Sequence, residues 1–403
     1  MVRVVKRSRP RIVIPICVGS NPIMHPNNMH TYTMKHYCAM PFNHVSIGNT
    51  GDYQICCMHP VPVQHRKNIN QTSVDEWLQN SYLEQVRSAF AQDQPHSGCQ
   101  HCWQQEASGV QSLRQVQAKE YKIIGAEPMQ PALLNVEAAV GNLCNLSCVM
   151  CDEHNSSMIL AENQKLAIAV RNQREFAWTE TAFENLQQLL NSTPKVVNLR
   201  GGETLFNKRI LELIENFPAD KLNRTLLHLT TNGTVWTEQW SKALSKFRSV
   251  RMMLSVDAVG SLDEYIRYPT KFAQVEQNIK QIVECKNIKP IIHTTVQNLN
   301  IMHIGQIIKW AKNMNIHLML DLLVRPDYLE ITNLPPLLKQ QAIDHLSTVL
   351  AQDLDAHIQS EITAYKTALE TAVFDSQRWQ RFVNDISRRD AVRGNSHKDF
   401  LKY

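Results

Sequence analysis

The 403-residue chain is poor in glycine and proline, with 13 and 17 residues of these types. This scarcity excludes a collagen-like or low-complexity chain and argues against a wholly disordered one. Long hydrophobic runs are also missing: the least charged stretch, 131–151, is interrupted by Asn135, Glu137 and Asn142, so no membrane span is expected there. The apolar run near the amino terminus is short and contains Pro15, which does not fit a secretion signal. We expect a cytoplasmic globular protein.

Neither sign of charge dominates the composition. The 42 Lys and Arg residues exceed the 37 Asp and Glu residues by five, which gives a net charge of +5. So small an excess attracts polyanions only weakly. The basic residues gather near both ends of the chain, where they are typical of solvated tails. The composition therefore argues against nucleic acid as a partner.

Cysteine is the residue type with an informative pattern. Ten cysteines in a chain of this length are too few and too unevenly placed for a disulfide scaffold, which indicates metal ligation or catalysis. The isolated Cys17 and Cys285 fit small buried side chains. The other eight form an amino-terminal group and a compact later group: Cys38, Cys56, Cys57, Cys99 and Cys102, then Cys144, Cys148 and Cys151.

The fold class follows from the pattern of apolar residues. From residue 132 onward, short apolar runs alternate with helical patterns, which is typical of repeated strand–helix units around a parallel sheet. Helices are predicted at 275–285 and 304–313, and a helical insertion at 157–171 and 179–190. Six strands are predicted, at 133–139, 195–199, 225–230, 250–256, 290–296 and 317–324.

The two ends of the chain differ from this central part. NTGD at 49–52 predicts a hairpin between 44–47 and 53–56, followed by helical sequence at 74–90 and a glutamine-rich connector at 103–131. The end of the chain is predicted to be mostly helical over 335–389, with Leu346, Leu350, Leu354 and Ile358 as one core stripe. We therefore expect an α/β protein of four parts. These are a basic segment 1–29, a small α+β metal-cluster domain 30–125, a partial (βα)6 TIM-like barrel 126–330 and a helical extension 331–403.

Three cysteines follow the first barrel strand in GNLCNLSCVMC, residues 141–151. The spacing C-x3-C-x2-C allows Cys144, Cys148 and Cys151 to bind one metal ion or cluster. Four cysteines normally saturate a four-iron cluster, so three leave one iron with an open coordination site. The alternative is structural zinc, because His154 can complete a tetrahedron of three thiolates and one imidazole.

With this spacing, the sequence resembles the radical S-adenosylmethionine (radical SAM) superfamily, whose hallmark is C-x3-C-x2-C after the first strand. NLRGGETLF after the second strand is similar to the family's GGE motif, which receives the amino group of the SAM methionine. TTNG and LSVDA end the third and fourth strands, where active sites of such barrels gather. The cofactor-binding residues that the resemblance implies are Gly201, Gly202, Glu203, Asn232, Ser255, Asp257, Arg267 and Val296.

These assignments have structural alternatives. Ser255 and Arg267 match family residues that contact the SAM ribose or carboxylate, and an arginine fork suits a carboxylate. Arg267 can equally form a surface ion pair, and Asp257 can cap a helix. Val296 matches a position near the adenine.

The amino-terminal group resembles the single-cluster twitch form of the SPASM auxiliary domain, although here it precedes the barrel. The resemblance implies an auxiliary cluster. Cys57 is left out because neighbouring residues on a strand point to opposite faces. Structural zinc is the alternative, and His59 or His101 can substitute for a thiolate. The proposed ligands are Cys38, Cys56, Cys99 and Cys102.

The resemblance implies an enzyme with a catalytic [4Fe-4S] cluster at Cys144, Cys148 and Cys151, SAM, and a second iron–sulfur cluster. Such enzymes cleave SAM reductively to a 5′-deoxyadenosyl radical, which abstracts a hydrogen atom from the substrate. The implied partners are a flavodoxin- or ferredoxin-type electron donor and a peptide or protein substrate. The alternatives are a nucleoside or small-molecule substrate, or a zinc-stabilised binding protein without turnover.

Overall fold

The computed structural model describes residues 35–108, 111–123, 129–170, 172–192 and 194–402. Cys17 and the basic segment 1–29 lie outside these residues. The described residues divide into two units, a larger one of 35–255 and 267–292 and a smaller one of 256–266 and 293–402. None of the described helices is both long and apolar enough to cross a membrane.

The strands are β1 (His44–Ile47), β2 (Tyr53–Gln54), β3 (Asn135–Ala139), β4 (Val196–Arg200), β5 (Leu226–Thr231), β6 (Ser249–Ser255), β7 (Ile288–Val296) and β8 (His317–Leu322). The helices of the larger unit are α1 (Met40–Asn43), α2 (Val74–Leu78), α3 (Ser81–Ala91), α4 (Gln100–Ala107), α5 (Leu113–Ile123), α6 (Ser157–Lys165), α7 (Glu180–Asn191), α8 (Lys208–Glu215), α9 (Glu238–Ser245) and α11 (Phe272–Val283). Those of the smaller unit are α10 (Ser261–Ile266), α12 (Ile304–Asn313), α13 (Pro336–Leu350), α14 (Ala356–Thr371) and α15 (Ser376–Arg393).

The strands form one open sheet in the order β2-β1-β3-β4-β5-β6-β7-β8. β1 pairs with β2 in antiparallel fashion across the predicted hairpin, and β1, β3, β4, β5 and β6 are parallel in succession. The α/β partial-barrel prediction is confirmed, since all six predicted barrel strands are present with bounds within two residues of those expected. The sequence did not reveal that β1 and β2 extend the same sheet.

The two faces of the sheet differ in polarity within the larger unit. Val45, Val136 and Val197 are fully buried on one face, as expected for β-branched residues in a covered parallel sheet. The neighbouring positions His44, Asn135 and Glu137 are also buried but polar, and the register places them side by side on the opposite face. Buried polar groups need hydrogen-bond partners, so other polar side chains are expected against this face of the sheet.

Helix boundaries differ from the prediction at two places with identifiable causes. Helix α6 ends at Lys165 rather than near 171 because Ala167 adopts a left-handed φ of 54°. The amide of Ile168 then donates to the carbonyl of Asn163 at 2.9 Å, which is the Schellman pattern that ends helices. The expected connector at 103–131 instead contains α5, whose Tyr121 is 1% exposed.

The smaller unit contains the end of β7, β8 and the expected helical extension. Its predicted leucine stripe is wrong in part, since Leu354 lies in the turn between α13 and α14 and only Leu346 and Ile358 of the four are buried. The core stripe of α13 is instead formed by residues at helical spacing, Leu338, Ala342, Leu346 and Val349.

Candidate cofactor and metal sites

The three-cysteine loop directly follows β3, as predicted. Cys144 and Cys148 are 9% and 8% exposed and pack with Leu146, while Cys151 is half-buried beside them. Burial raises the pKa of the Cys151 thiol, and repulsion from Cys148 and Cys144 raises it further. The three thiols therefore lie near one another, and a bound metal would displace their protons.

Residues at the start of α6, the first helix of the insertion, make hydrogen bonds to this loop. The Ser156 hydroxyl donates to the Leu146 carbonyl at 2.6 Å, and the Cys144 amide donates to Ser157 Oγ at 3.1 Å. Ser156 also caps α6 by accepting from the amide of Ile159. The start of α6 thus fixes the backbone around Cys144, which is the local reason for an insertion at this point of the chain.

The amino-terminal hairpin supports the loop from another side. Asn49 Nδ2 donates to the carbonyl of His154 at 2.6 Å and to that of Gly141 at 3.2 Å. The carbonyl of Asn49 in turn accepts from Trp178 Nε1 at 3.1 Å. The hairpin can present Asn49 this way because Gly51 takes a φ of 83° in the turn.

The Gly201–Glu203 segment rests on the three-cysteine loop. The Glu203 amide donates to the Leu143 carbonyl at 2.8 Å. A Cβ atom on Gly202 would lie 2.3 Å from that carbonyl oxygen, and one on Gly201 would lie 2.9 Å from the Val140 carbonyl oxygen. The two glycines are therefore required for the end of β4 to approach the loop, a reason that the sequence alone did not supply.

The carboxylate of Glu203 joins the ends of β4 and β5. It accepts from the Thr231 hydroxyl at 2.5 Å, the Asn232 amide at 2.6 Å and the Leu205 amide at 3.0 Å. Burial raises the pKa of Glu203, and these three donors oppose the rise. The carboxylate is held in one orientation beside the cysteine loop.

Asn232 connects β5 to the loop through a side-chain network. Its Nδ2 donates to Asn145 Oδ1 at 2.9 Å, and Asn145 Nδ2 donates to Thr234 Oγ1 at 2.9 Å. Asn145 lies between Cys144 and Cys148 in the motif. The structure thus brings Asn232 together with the cysteine loop, as the sequence-based assignment requires.

Arg267 is 7% exposed, which does not fit the surface ion pair considered as its alternative. Its Nη1 lies 4.0 Å from Cys148 Sγ, and its charge opposes the effect of burial on the pKa of both Cys144 and Glu203. The carbonyl of the next residue, Tyr268, accepts from the Ser147 amide at 2.6 Å. A buried cation therefore lies beside Cys148 and near Cys144. Ser255 ends β6 and is half-buried.

Asp257 and Val296 belong to the smaller unit. Asp257 Oδ1 accepts from the Thr295 amide at 2.7 Å, so the carboxylate joins the chain after β6 to β7 rather than capping a helix. Val296 is fully buried. Their contacts with a cofactor stay predictions.

The four selected amino-terminal cysteines lie together in the larger unit. Burial raises the pKa of Cys38, and repulsion from Cys56, Cys99 and Cys102 adds to the rise. Burial also raises the pKa of Cys56 and of Cys99 to about 12. Four neighbouring thiols are the kind of donor set that a four-iron cluster or zinc takes.

Two histidines, His59 and His96, lie close to Cys99 of this four-cysteine site. His59 Nδ1 lies 3.4 Å from Cys99 Sγ. The ligand atoms of His59, His96 and Cys99 all lie within 4.8 Å of one another. His101 is half-buried, and its Nε2 has no hydrogen-bond partner within the described residues.

Sequence reasoning missed the polar interior of the sheet. Arg200 Nε donates to Glu137 Oε1 at 2.8 Å, and His44 Nε2 lies 3.7 Å from Glu137 Oε2. A cavity of about 20 Å³ lies here, and its lining includes His44, Glu137, Asn135 and His228. The available signal was a pair of polar residues two positions apart in each strand, Asn135 and Glu137 in NVEAA and Asn198 and Arg200 in VVNLR.

Comparison with known proteins identifies the central part of the chain. Residues 139–311 match the radical SAM superfamily model. A curated relative, the probable GTP 3′,8-cyclase of Methanocaldococcus jannaschii, is 22% identical over 187 residues, which are 44% of this chain and 55% of that protein. The chain thus spans about half the length of this relative.

Two solved structures show low similarity. SuiB of Streptococcus suis, bound to its precursor peptide SuiA, has 14% identity over 64% of this chain and 62% of that chain, with a TM-score of 0.37. TYW1 with a lysine-pyruvate adduct has 16% identity over 55% of this chain and 72% of that chain, with a TM-score of 0.32. The three-cysteine loop and the Gly201–Glu203 segment that rests on it both fall within 139–311, the part of the chain that matches the radical SAM superfamily model.

Proposed function

We propose that this chain is a radical SAM enzyme whose catalytic cluster is held by Cys144, Cys148 and Cys151. The observation that carries the proposal is the hydrogen bond from the Glu203 amide to the Leu143 carbonyl, 2.8 Å long. It joins the two motifs, fifty residues apart in sequence, into one site within the matched domain.

The donor set fits a cluster with one open iron. Two buried thiols and one half-buried thiol lie in one loop, and the buried guanidinium of Arg267 beside Cys148 offsets part of the negative charge that thiolates would bring. When bound, the cluster would supply one electron to the SAM sulfonium, giving methionine and a 5′-deoxyadenosyl radical that takes a hydrogen atom from the substrate. The chemistry belongs to the cofactor, and the protein supplies binding and orientation.

The residues of the larger unit divide these tasks. Arg267 can bind the SAM carboxylate through its planar fork. Glu203 and Asn232 hold the ends of β4 and β5 against the loop, and Gly201 and Gly202 let the end of β4 approach the loop closely enough for the two motifs to bind one cofactor. Burial of Cys144 and Cys148 limits the access of water to these two thiols.

Anaerobic SAM cleavage tests this function. Full-length protein reconstituted with iron and sulfide should form 5′-deoxyadenosine from SAM when dithionite is added. Replacing Cys144, Cys148 and Cys151 by alanine should abolish the product. Cys285→Ala is the matched control, because Cys285 is an isolated cysteine after α11, and it should keep the parent rate. Cleavage at the parent rate by the triple variant would refute the proposal.

For the amino-terminal part we propose an auxiliary cluster domain in 30–125, with Cys38, Cys56, Cys99 and Cys102 as ligands. The convergence of the four thiols supports it. A flavodoxin- or ferredoxin-type protein would deliver the electron to the catalytic cluster. The proposed substrate is a peptide or protein side chain, because auxiliary-cluster relatives often modify such groups.

Deuterium transfer tests the substrate class. Deuterated peptides and deuterated nucleotides are incubated separately with the reduced protein and SAM, and the 5′-deoxyadenosine is analysed by mass spectrometry. A peptide substrate should pass deuterium into the product. Transfer from nucleotides alone would replace this proposal with the nucleoside alternative.

A further inference from the structure

His59 is fixed on three sides next to the four-cysteine site. Its Nε2 lies 2.9 Å from the Tyr82 hydroxyl, and the ring of His96 stacks on it with centroids 5.3 Å apart. The backbone of Gly98 covers the ring so closely that a Cβ there would lie 2.4 Å from His59 Cε1. His59 is 4% exposed. The ring can therefore present only Nδ1 to Cys99.

The contact between His59 Nδ1 and Cys99 Sγ, 3.4 Å long, has one consistent proton arrangement once Cys99 binds metal. A metal-bound cysteine is a thiolate and has no proton to donate. Nδ1 must then carry the proton and donate it to sulfur. Nε2 becomes the acceptor, and the Tyr82 hydroxyl donates to it, so both ring nitrogens of His59 have a hydrogen-bond partner.

His96 does not provide a competing metal ligand in this arrangement. Its Nδ1 accepts from the Gly98 amide at 3.2 Å. Its other ring nitrogen, Nε2, then carries the proton of the neutral imidazole and has no lone pair for a metal. The close group of His59, His96 and Cys99 therefore favours a hydrogen bond to a thiolate over a separate zinc site.

We propose that His59 donates an N–H···S hydrogen bond to the Cys99 thiolate and thereby raises the reduction potential of the amino-terminal cluster. Hydrogen bonds to cluster sulfurs stabilise the more negative, reduced state and are among the main determinants of such potentials. His59 is a positioning and tuning residue, and it is not a ligand. The inference rests on the auxiliary cluster of the proposed function.

The test measures the potential of this cluster alone. Full-length protein with Cys144, Cys148 and Cys151 replaced by alanine is reconstituted with iron and sulfide and titrated potentiometrically by EPR. His59→Phe should lower the potential by roughly 59 mV, the one-electron equivalent of a tenfold change in the redox equilibrium. His59→Asn, whose amide nitrogen replaces Nδ1, should restore most of the loss. An unchanged potential in both variants would overturn the inference.

His65→Phe is the matched control. His65 stacks on Tyr82 with centroids 5.2 Å apart but is not one of the side chains grouped with Cys99. This variant should keep the parent potential. A shift as large as that of His59→Phe would attribute the effect to general packing and would also overturn the inference.

Pulsed EPR with 15N-labelled histidine gives a readout that needs no substitution at His59. A ring nitrogen one hydrogen bond away from the cluster should show a weak coupling. A strong coupling would show that a histidine is an iron ligand, and the absence of coupling would show that the hydrogen bond does not form. Either result would refute the inference. Zinc in place of iron at this site would do the same.

The two proposals fail separately. If the intact protein cleaves SAM but the amino-terminal potential is indifferent to His59, only the inference falls. If the potential depends on His59 but SAM is not cleaved, only the proposed function falls.

Discussion

The side chain of Asn49 donates a hydrogen bond of 2.6 Å to the main-chain carbonyl of His154. Asn49 lies in the hairpin turn before β2, and Cys56 of the four-cysteine site follows that strand closely. His154 follows Cys151 by three residues. This one hydrogen bond thus joins the hairpin that precedes Cys56 to the segment that follows the three-cysteine loop.

Asn49→Ala should weaken the three-cysteine loop. The substitution leaves the carbonyls of His154 and Gly141 without this donor, which costs about 1–3 kcal/mol for partly buried groups. Urea denaturation should show this lower free energy of unfolding, and iron analysis should show less metal retained. Asn191→Ala, at the exposed end of α7, is the control and should change neither quantity. Parent-like stability of Asn49→Ala would contradict the account.

Gly202→Ala should displace the loop from the end of β4. The new methyl would lie 2.3 Å from one backbone oxygen and 2.5 Å from another, and backbone cannot swing away as a flexible side chain can. We expect a loss of roughly 1–3 kcal/mol and loss of iron at Cys144, Cys148 and Cys151. The methyl of Gly48→Ala would have the flexible end of Gln54 as its nearest neighbour, at 3.3 Å, and a backbone oxygen no closer than 3.8 Å, so this variant should retain iron. Equal iron in both variants would contradict the prediction.

Stability should fall as the solution becomes acidic. Burial lowers the pKa of His44 from 6.5 to about 4, and burial together with Arg251 lowers that of His228 from 6.5 to about 3. The unfolded chain therefore binds protons near pH 6.5, while the native chain does not until pH 3–4. The stability present above pH 6.5 is lost towards pH 3, on the order of 3–5 kcal/mol per histidine.

His228→Gln tests this linkage by chemical denaturation between pH 7 and pH 4. The variant should lose less stability over that range than the parent, because one titrating group is gone. Leu227→Ala, at a fully buried neighbour on β5, should lower stability by about 2–5 kcal/mol at each pH and keep the parent slope. A parent-like slope in His228→Gln would show that His228 does not titrate as described.

Local pattern was enough to predict the parallel sheet. The apolar core strands around Val197 and Leu229 and the cysteine spacing at 144–151 are encoded in short stretches of sequence. The same holds for the NTGD hairpin, whose Gly51 supplies the left-handed turn residue. These features could be found without the structure because each depends on neighbours along the chain.

Long-range contacts could not be predicted in the same way. Nothing in the sequence near Asn49 indicates a partner about a hundred residues later. The pairing of β1 beside β3, and the Glu137–Arg200 ion pair across β3 and β4, depend on register between separate strands. From the sequence, Arg267 could also form a surface ion pair. Only the fold shows that it is buried beside Cys148.

The central claim is that one iron of a cluster at Cys144, Cys148 and Cys151 is open to SAM. The most direct test is the EPR spectrum of the reduced full-length protein in which Cys38, Cys56, Cys99 and Cys102 are replaced by alanine, recorded with and without SAM. We predict a reduced iron–sulfur signal whose g-values change when SAM is added. A signal that SAM leaves unchanged, or protein that contains zinc and no iron, would contradict the account.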